Sequence, residues 1–208
     1  LGTQQMGAVT VAFPLGQAVV GLGLLFGNGA AAYLPRLLGR GNQRQADKAA
    51  STALYASVGL GAVVILGMLI FLRPLLKQAG ALESVMPYAL TYTSIYLAFS
   101  IFNVFNVAMN NIVSSEGAAK TAMGALLFGA LLNVALDPLL IYGCHLGVAG
   151  AAIATAIAQM VSAAFYGRYI WSKRSVFSFR PQRCCLEREI WSEILKIGVP
   201  TLIFQLLT

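Results

Sequence analysis

The stretch that decides the fold runs from Thr121 to Gly143 and reads TAMGALLFGALLNVALDPLLIYG. Its only charged residue is Asp137. A helix that crosses a bilayer needs about 20 consecutive, mostly apolar residues, so this stretch is predicted to span a membrane. A charge at the centre of a membrane helix costs roughly 2.5–3.5 kcal/mol on insertion scales. We therefore expect Asp137 to be compensated, by a partner, by water, or by a bound proton or cation.

The composition of the whole chain agrees with a membrane protein. Of its 208 residues, 58% are hydrophobic and 10% are charged. A soluble domain carries about 25% charged residues, so this chain has too few charges to cover a globule. The alternating segments of about 10 residues that build membrane β-barrels are not seen. The predicted fold class is all-α, a polytopic bundle of transmembrane helices.

Five complete apolar segments and the beginning of a sixth follow one another along the chain. They cover 5–38, 49–72, 84–113, 121–142 and 147–167, and the sixth begins near Ile194. The first and third are too long for an upright membrane helix, which indicates tilt or kinks. Pro14 is the candidate kink in the first segment. Since the sequence begins with Leu1 and ends inside an apolar run, we expect it to be part of a longer protein.

The distribution of positive charge predicts the orientation. Alternate loops carry twelve of the fourteen Lys and Arg residues, namely Arg36, Arg40, Arg44, Lys48, Lys120, Arg168, Lys173, Arg174, Arg180, Arg183, Arg188 and Lys196. By the positive-inside rule, loops 36–48, 114–120 and 168–196 are cytoplasmic, and the protein is a multi-pass protein of the cell (inner) membrane. The net charge of +7 thus comes from positive residues in the loops on one side of the lipid bilayer, and no nucleic-acid partner is expected.

A candidate site can be built around the intramembrane carboxylate. Asn133 lies one helical turn before Asp137, and Pro138 frees the carbonyl of Val134. Counted from the turn near residue 145, Asp137 and Thr155 lie roughly 12–15 Å deep on adjacent antiparallel helices. A carboxylate, an amide oxygen and a hydroxyl suit Na⁺, and the carboxyl alone can hold a proton. The alternative is a polar packing contact between Asp137, Asn133 and a hydroxyl.

Amide side chains in the third segment extend the candidate site. Asn103, Asn106 and Asn110 share one helical stripe. Amides inside a membrane either bond one helix to another or line a polar cavity, and both interpretations stay open here. Asn103 is closest in depth to Asn133. Gln159, one turn beyond Thr155, is a further candidate for the same cavity.

The sequence shows no arrangement of residues that would catalyse a reaction. It contains no glycine-rich phosphate loop, no nucleophile arrangement and no Cys/His cluster for a metal. We therefore expect a protein that is not an enzyme and has no cofactor, with Na⁺ or H⁺ as a coupling ion.

Several stretches resemble the multidrug and toxic compound extrusion (MATE) family of cation-coupled exporters. They are NVALDPLLIYG at 133–143 with LGVAGAAIATAIAQM at 146–160, NNIVSSEGAAKTAM at 110–123, and GNGAAAYLPRLLGRGNQRQADKAA at 27–50. The resemblance implies a transporter of twelve helices in two lobes around a central cavity. This chain would supply helices two to six of the first lobe, residues 1–172, without helix one. Residues 173–193 would form the cytoplasmic inter-lobe loop, and 194–208 the start of the carboxy-terminal lobe.

The resemblance also implies a cation site. Asn133, Asp137 and Thr155 match the site in the amino-terminal lobe of many prokaryotic members, and Asn106 or Asn103 match its helix-four amides. The family site also uses an acid on helix one, which is absent here. Ser114 stands where the family usually has an arginine, so a role for that arginine has no support in this chain.

The expected function is a cation-coupled antiporter, driven by Na⁺ or H⁺, that exports amphipathic drugs or other toxic organic compounds by alternating access. One alternative is a lipid-linked saccharide flippase of the same superfamily, which would need cavity charges complementary to pyrophosphate. Another is an inactive, truncated membrane scaffold. The substrate's identity, the choice of ion and the oligomeric state stay open at this point.

Overall fold

The computed structural model describes residues 3–172, 174–179 and 187–207. The elements in chain order are α1 (Thr3–Gly39), α2 (Gln43–Ile70), α3 (Leu72–Gln78), α4 (Met86–Ser115), α5 (Ala119–Pro138), a π-helical turn (Leu139–Gly143), α6 (Gly147–Trp171) and α7 (Arg188–Leu207). Within the described ranges every regular element is helical. Six of the helices are long and apolar enough to cross a membrane. The predicted fold class, a transmembrane helix bundle, is confirmed.

Helix boundaries differ from the predictions mainly where a helix begins with polar residues. α2 starts at Gln43 rather than at residue 49, because the Asn42 side chain caps it by accepting a hydrogen bond from the amide of Gln45. α7 starts at Arg188, inside the range 173–193 that was predicted as a loop. Apolar runs mark the membrane-buried part of a helix and miss its charged first turns. Residues 173 and 180–186 of the predicted loop lie outside the described residues.

The two longest segments are continuous helices. α1 runs through Pro14 and Pro35 without a break, and α4 is unbroken over its whole length. The short helix α3 had not been predicted. It occupies the connection between α2 and α4 and buries Leu72 and Leu76.

α1 and α4 lie at the centre of the bundle and pack against each other. α1 also contacts α2 and α7, and α4 also contacts α2, α5 and α6. A side chain on Gly198 of α7 would collide with the backbone carbonyl of Leu25, so glycine lets the two helix backbones touch. α5 is peripheral, and its buried residues are only Ala122, Ala125 and Gly129.

The bundle has two different ends. We call the "basic end" the one with the α1–α2 and α4–α5 connections and the end of α6, which carries Arg40, Lys120 and Arg168. Apolar clusters fill the bundle near both ends, one around Ile112 near the basic end and one around Leu97 near the opposite end.

Candidate functional site

Helices α5 and α6 bring together two of the predicted site residues. The Nδ2 of Asn133 donates a hydrogen bond to the Oγ1 of Thr155 at 3.4 Å. The Thr155 hydroxyl in turn donates to the carbonyl of Ala151 at 3.0 Å. These bonds orient the Thr155 oxygen and occupy the amide nitrogen of Asn133. Both side chains therefore keep an oxygen with lone pairs that could bind a cation.

Asp137 lies one turn further along α5, towards the end opposite the basic end. Its side chain is partly exposed, yet its Oδ1 is buried and has no hydrogen-bond partner among the described residues. Tyr92 of α4 is within electrostatic range of the carboxyl group. A buried polar atom without a partner costs roughly 1–3 kcal/mol, and more when it is charged. Asp137 is therefore not held in a satisfied polar packing contact in this chain.

The backbone changes its helical type directly after Asp137. Pro138 ends α5, and Leu139–Gly143 form a π-helical turn. Single π turns are rare and occur frequently at functional sites. A side chain on Gly150 of α6 would come within 2.8 Å of the Leu140 carbonyl oxygen, so glycine allows α6 to pack directly on this turn. This close packing fixes the start of α6 relative to Asp137.

A cavity of about 500 Å³ lies beside the Asn133–Thr155 contact, between α1, α4, α5 and α6. Its polar lining residues are Asn103, Asn106, Asn110, Asn111, Asn133, Thr155, Gln159, Ser162 and Tyr166. No Lys, Arg, Asp or Glu of the described chain is among its lining residues. The volume falls in the range typical of small-molecule sites, about 300–1,000 Å³. Asp137 does not line this cavity and lies one turn beyond it.

The amide side chains of α4 both bond one helix to another and line the polar cavity, the two roles that the sequence left open. Asn106 donates through Nδ2 to the carbonyl and the Oε1 of Gln159, at 2.9 and 2.6 Å. Asn110 donates to the Tyr166 hydroxyl at 3.0 Å. These bonds join α4 to α6. The Oδ1 of Asn106 is buried without a partner among the described residues, and Asn103, also buried, lines the same cavity.

Residues 1–139 match the family described as MatE. The chain belongs to the MATE family.

Known relatives and solved structures match nearly the whole length of this MATE family chain. The multidrug export protein MepA of Staphylococcus aureus (strain NCTC 8325 / PS 47) is 30% identical over 205 residues, which are 99% of this chain and 46% of MepA. An inward-facing structure of a multidrug resistance MATE family transporter is 32% identical, with a TM-score of 0.93 over 99% of this chain and 47% of that one. An outward-facing structure described in the same words gives the same identity and TM-score, over 99% and 46%. This chain spans about half the length of the curated relatives it matches.

Some residues of the MATE cavity were missed by sequence reasoning. Ser162 and Tyr166 continue the stripe of Thr155 and Gln159 along α6 at helical spacing, and all four line the cavity. The stripe was visible in the sequence, but the prediction stopped at Gln159. Tyr92, which does not line the cavity, could not be predicted to lie near Asp137, because its position depends on how α4 packs near α5.

Proposed function

We propose that this chain is part of a secondary exporter that couples the entry of Na⁺ or H⁺ to the expulsion of amphipathic organic molecules. The observation that carries the proposal is the Oδ1 of Asp137, buried and unpartnered in a membrane-spanning helix, one turn from the Asn133–Thr155 contact. Intramembrane ionisable residues of this kind mark ion or proton pathways.

The proposed ion step uses the Asp137 carboxylate and the oxygens of the Asn133–Thr155 contact, which lies one turn away along α5. Na⁺ would bind the Asp137 carboxylate together with the oxygens of Asn133 and Thr155, whereas H⁺ would bind the carboxylate alone. Either ion neutralises the negative charge in the membrane. The ion can drive a conformational change only as far as its affinity differs between the two states. Pro138 and the π turn after it provide a backbone element that could differ between those states.

The proposed substrate step uses the 500 Å³ cavity. Its walls combine apolar side chains with neutral amides and hydroxyls, which suits amphipathic molecules that form a few hydrogen bonds. The multidrug export relatives support this substrate class. The cavity suits a lipid-linked pyrophosphate less well, because none of the described residues lining it carries a positive charge to bind the phosphates. We therefore favour export of organic compounds over the flippase alternative.

Alternating access is supported by the two solved structures. This chain matches an inward-facing and an outward-facing transporter with the same TM-score of 0.93. Helices that rearranged strongly between the two states would match one of them less well. Helices α1 to α6 are therefore proposed to move largely as one body, as the alternating-access description of transporters expects.

The test is the Asp137→Asn variant of the full-length protein, reconstituted in vesicles with an imposed Na⁺ or H⁺ gradient. We expect gradient-driven efflux of a fluorescent cationic dye to be lost. Glu83→Gln is the matched control, because the same chemical change falls on an acid whose side chain is 84% exposed and paired with Lys77. Gradient-driven efflux equal to wild type in Asp137→Asn would remove the coupling role of this carboxyl. No efflux by the wild-type protein would favour the scaffold alternative.

A further inference from the structure

The segment that follows α6 is fastened to one face of α2. Four polar side chains on that face are spaced four residues apart and so form a single stripe: Gln43, Asp47, Ser51 and Tyr55. Residues 174–179 run along this stripe without helical structure. A non-helical backbone near a membrane needs partners for its N–H and C=O groups, and this stripe supplies them.

The hydrogen bonds recognise the backbone rather than particular side chains. The amide of Ser178 donates to the Oδ1 of Asp47 at 3.0 Å, and the Ser51 hydroxyl donates to the carbonyl of Ser178 at 3.0 Å. Gln43 donates through Nε2 to the carbonyl of Val176 at 2.8 Å. One residue of the segment is thus held by both its N–H and its C=O. Successive turns of α2 bind successive parts of the segment.

Apolar contacts anchor the same segment. Phe177 is 4% exposed and belongs to the apolar cluster near the basic end. Its ring packs edge-to-face against Phe179, with 6.5 Å between the ring centroids. The Tyr55 hydroxyl donates to the carbonyl of Phe179 at 3.3 Å. Burial of a phenylalanine ring contributes about 1.5–3 kcal/mol, so the segment is held by more than its polar contacts.

A second carboxylate holds the segment from α4 and α6. Glu116, at the end of α4, accepts hydrogen bonds from the Tyr169 hydroxyl at 2.6 Å and from the Ser175 hydroxyl at 2.7 Å. It also accepts one from the amide of Val176 at 2.9 Å. Both carboxylate oxygens are therefore used. Charge-assisted bonds of this kind are stronger than neutral ones.

The chain is fastened to α2 again where α7 begins. Lys48 of α2 forms an ion pair with Glu187, the residue that precedes α7. Contacts with α2 thus occur near both ends of the connection between α6 and α7.

We propose that residues 174–179 form a docked strap that holds the start of α7 at the basic end and limits how far the two lobes separate there. This rests on the proposed transport function, since the restraint acts on the alternation of two lobes. Asp47 and Glu116 are the positioning residues, and neither lines the cavity nor contacts Asp137. A flexible linker would not need a stripe of hydrogen-bonding side chains at helical spacing on α2.

The experiment is hydrogen–deuterium exchange on the full-length protein in lipid nanodiscs, read on peptides that cover 174–179. In the wild type we expect the amides of Val176 and Ser178 to exchange slowly. In the double variant Asp47→Ala/Glu116→Ala we expect exchange to be at least roughly tenfold faster, while α4 exchanges as before. Ser51→Ala, which removes one neutral bond, should give a smaller increase and serves if the double variant does not fold. Lys120→Ala, an exposed change in the first turn of α5, is the control and should change nothing.

Three outcomes decide the strap proposal, and a fourth tests the transport function on which it rests. Fast release of the strap with a several-fold loss of the efflux rate supports the proposal. Exchange of 174–179 in the wild type at the rate of an unstructured peptide overturns the docking. Release without any change in efflux overturns the restraint. A wild-type protein that shows no efflux defeats the proposed transport function instead, and leaves the exchange result to stand by itself.

Discussion

Two carboxylates of this chain have opposite surroundings. Glu116, near the basic end, accepts hydrogen bonds from Tyr169, Ser175 and Val176. Asp137, inside a membrane-spanning helix, has a buried oxygen with no partner among the described residues. A satisfied carboxylate stabilises the structure around it, whereas an unsatisfied one is costly unless an ion or proton binds. The comparison predicts that the satisfied carboxylate contributes to stability, whereas the unsatisfied one is free to bind an ion or a proton.

The largest expected effect follows from removing the unsatisfied charge. Asp137→Asn should lower gradient-driven efflux by roughly 100-fold, since a charge-assisted contact contributes about 3 kcal/mol. The same change should leave the thermal stability of the full-length protein unchanged or slightly raised, because a costly buried charge is lost. Efflux assays and thermal unfolding in the same detergent measure both quantities. A marked loss of stability in this variant would place Asp137 in the structural class with Glu116.

The satisfied carboxylate should behave in the opposite way. Glu116→Ala removes three hydrogen bonds and should lower the free energy of unfolding by about 2–3 kcal/mol. Binding of the coupling ion should not change, because Glu116 does not contact the cavity. Thermal unfolding measures the loss of stability, and ion-binding titrations measure whether ion binding is unchanged. Lys120→Ala should stay within about 0.5 kcal/mol of wild type. Reduced ion affinity with full stability in Glu116→Ala would reverse the assignment.

A packing change tests whether the π turn positions the Asp137 region. Gly150→Ala places a methyl group within 2.8 Å of the Leu140 carbonyl oxygen and should destabilise the protein by about 1–2 kcal/mol. It should also lower ion affinity, because α6 moves away from the turn. Gly167→Ala is the matched control on the same helix, where nothing lies within 4 Å of the added methyl group. Equal stability and affinity for the two variants would show that the contact has no positioning role.

The smallest effect concerns a single neutral ligand. Thr155→Val keeps the shape of the side chain but removes the hydroxyl that meets Asn133 at 3.4 Å. Loss of one neutral oxygen ligand should weaken Na⁺ binding about fivefold, equivalent to about 1 kcal/mol. If the coupling ion is H⁺, the proton affinity should change less, because the proton binds the carboxyl itself. Titrations with Na⁺ at fixed pH, and with pH in the absence of Na⁺, distinguish the two cases.

Much of the fold could be predicted because a membrane imposes one simple requirement. Apolar runs long enough to cross the bilayer located all six long helices, including the pair that brings Asn133 against Thr155. The polar starts of α2 and α7 were missed, since caps and strap contacts rather than hydrophobicity decide where these helices begin. The π turn after Pro138 was also missed, because a proline predicts an interruption but not its geometry.

The candidate site was predictable where one helix carries the signal, or where a short turn sets the depth of two neighbouring helices, as for Asn133 and Thr155. Asn133 and Asp137 share a helical face, and α4 carries a stripe of amides, so their proximity to a cavity follows from periodicity. Tyr92 and the position of Asp137 one turn beyond the cavity depend on how separate helices pack, which spacing along one helix does not contain. The strap could not be foreseen either, since Asp47 and Glu116 bind a segment that is far from them in the sequence.

The most direct test of the central claim is infrared difference spectroscopy of the full-length protein in bilayers, recorded on adding Na⁺ and, separately, on lowering the pH. If Asp137 binds the coupling ion, one of these steps changes a carboxyl band in the wild type, and that change is absent in Asp137→Asn but kept in Glu116→Gln. A band change that persists unaltered in Asp137→Asn would show that the ion binds elsewhere and would contradict the account.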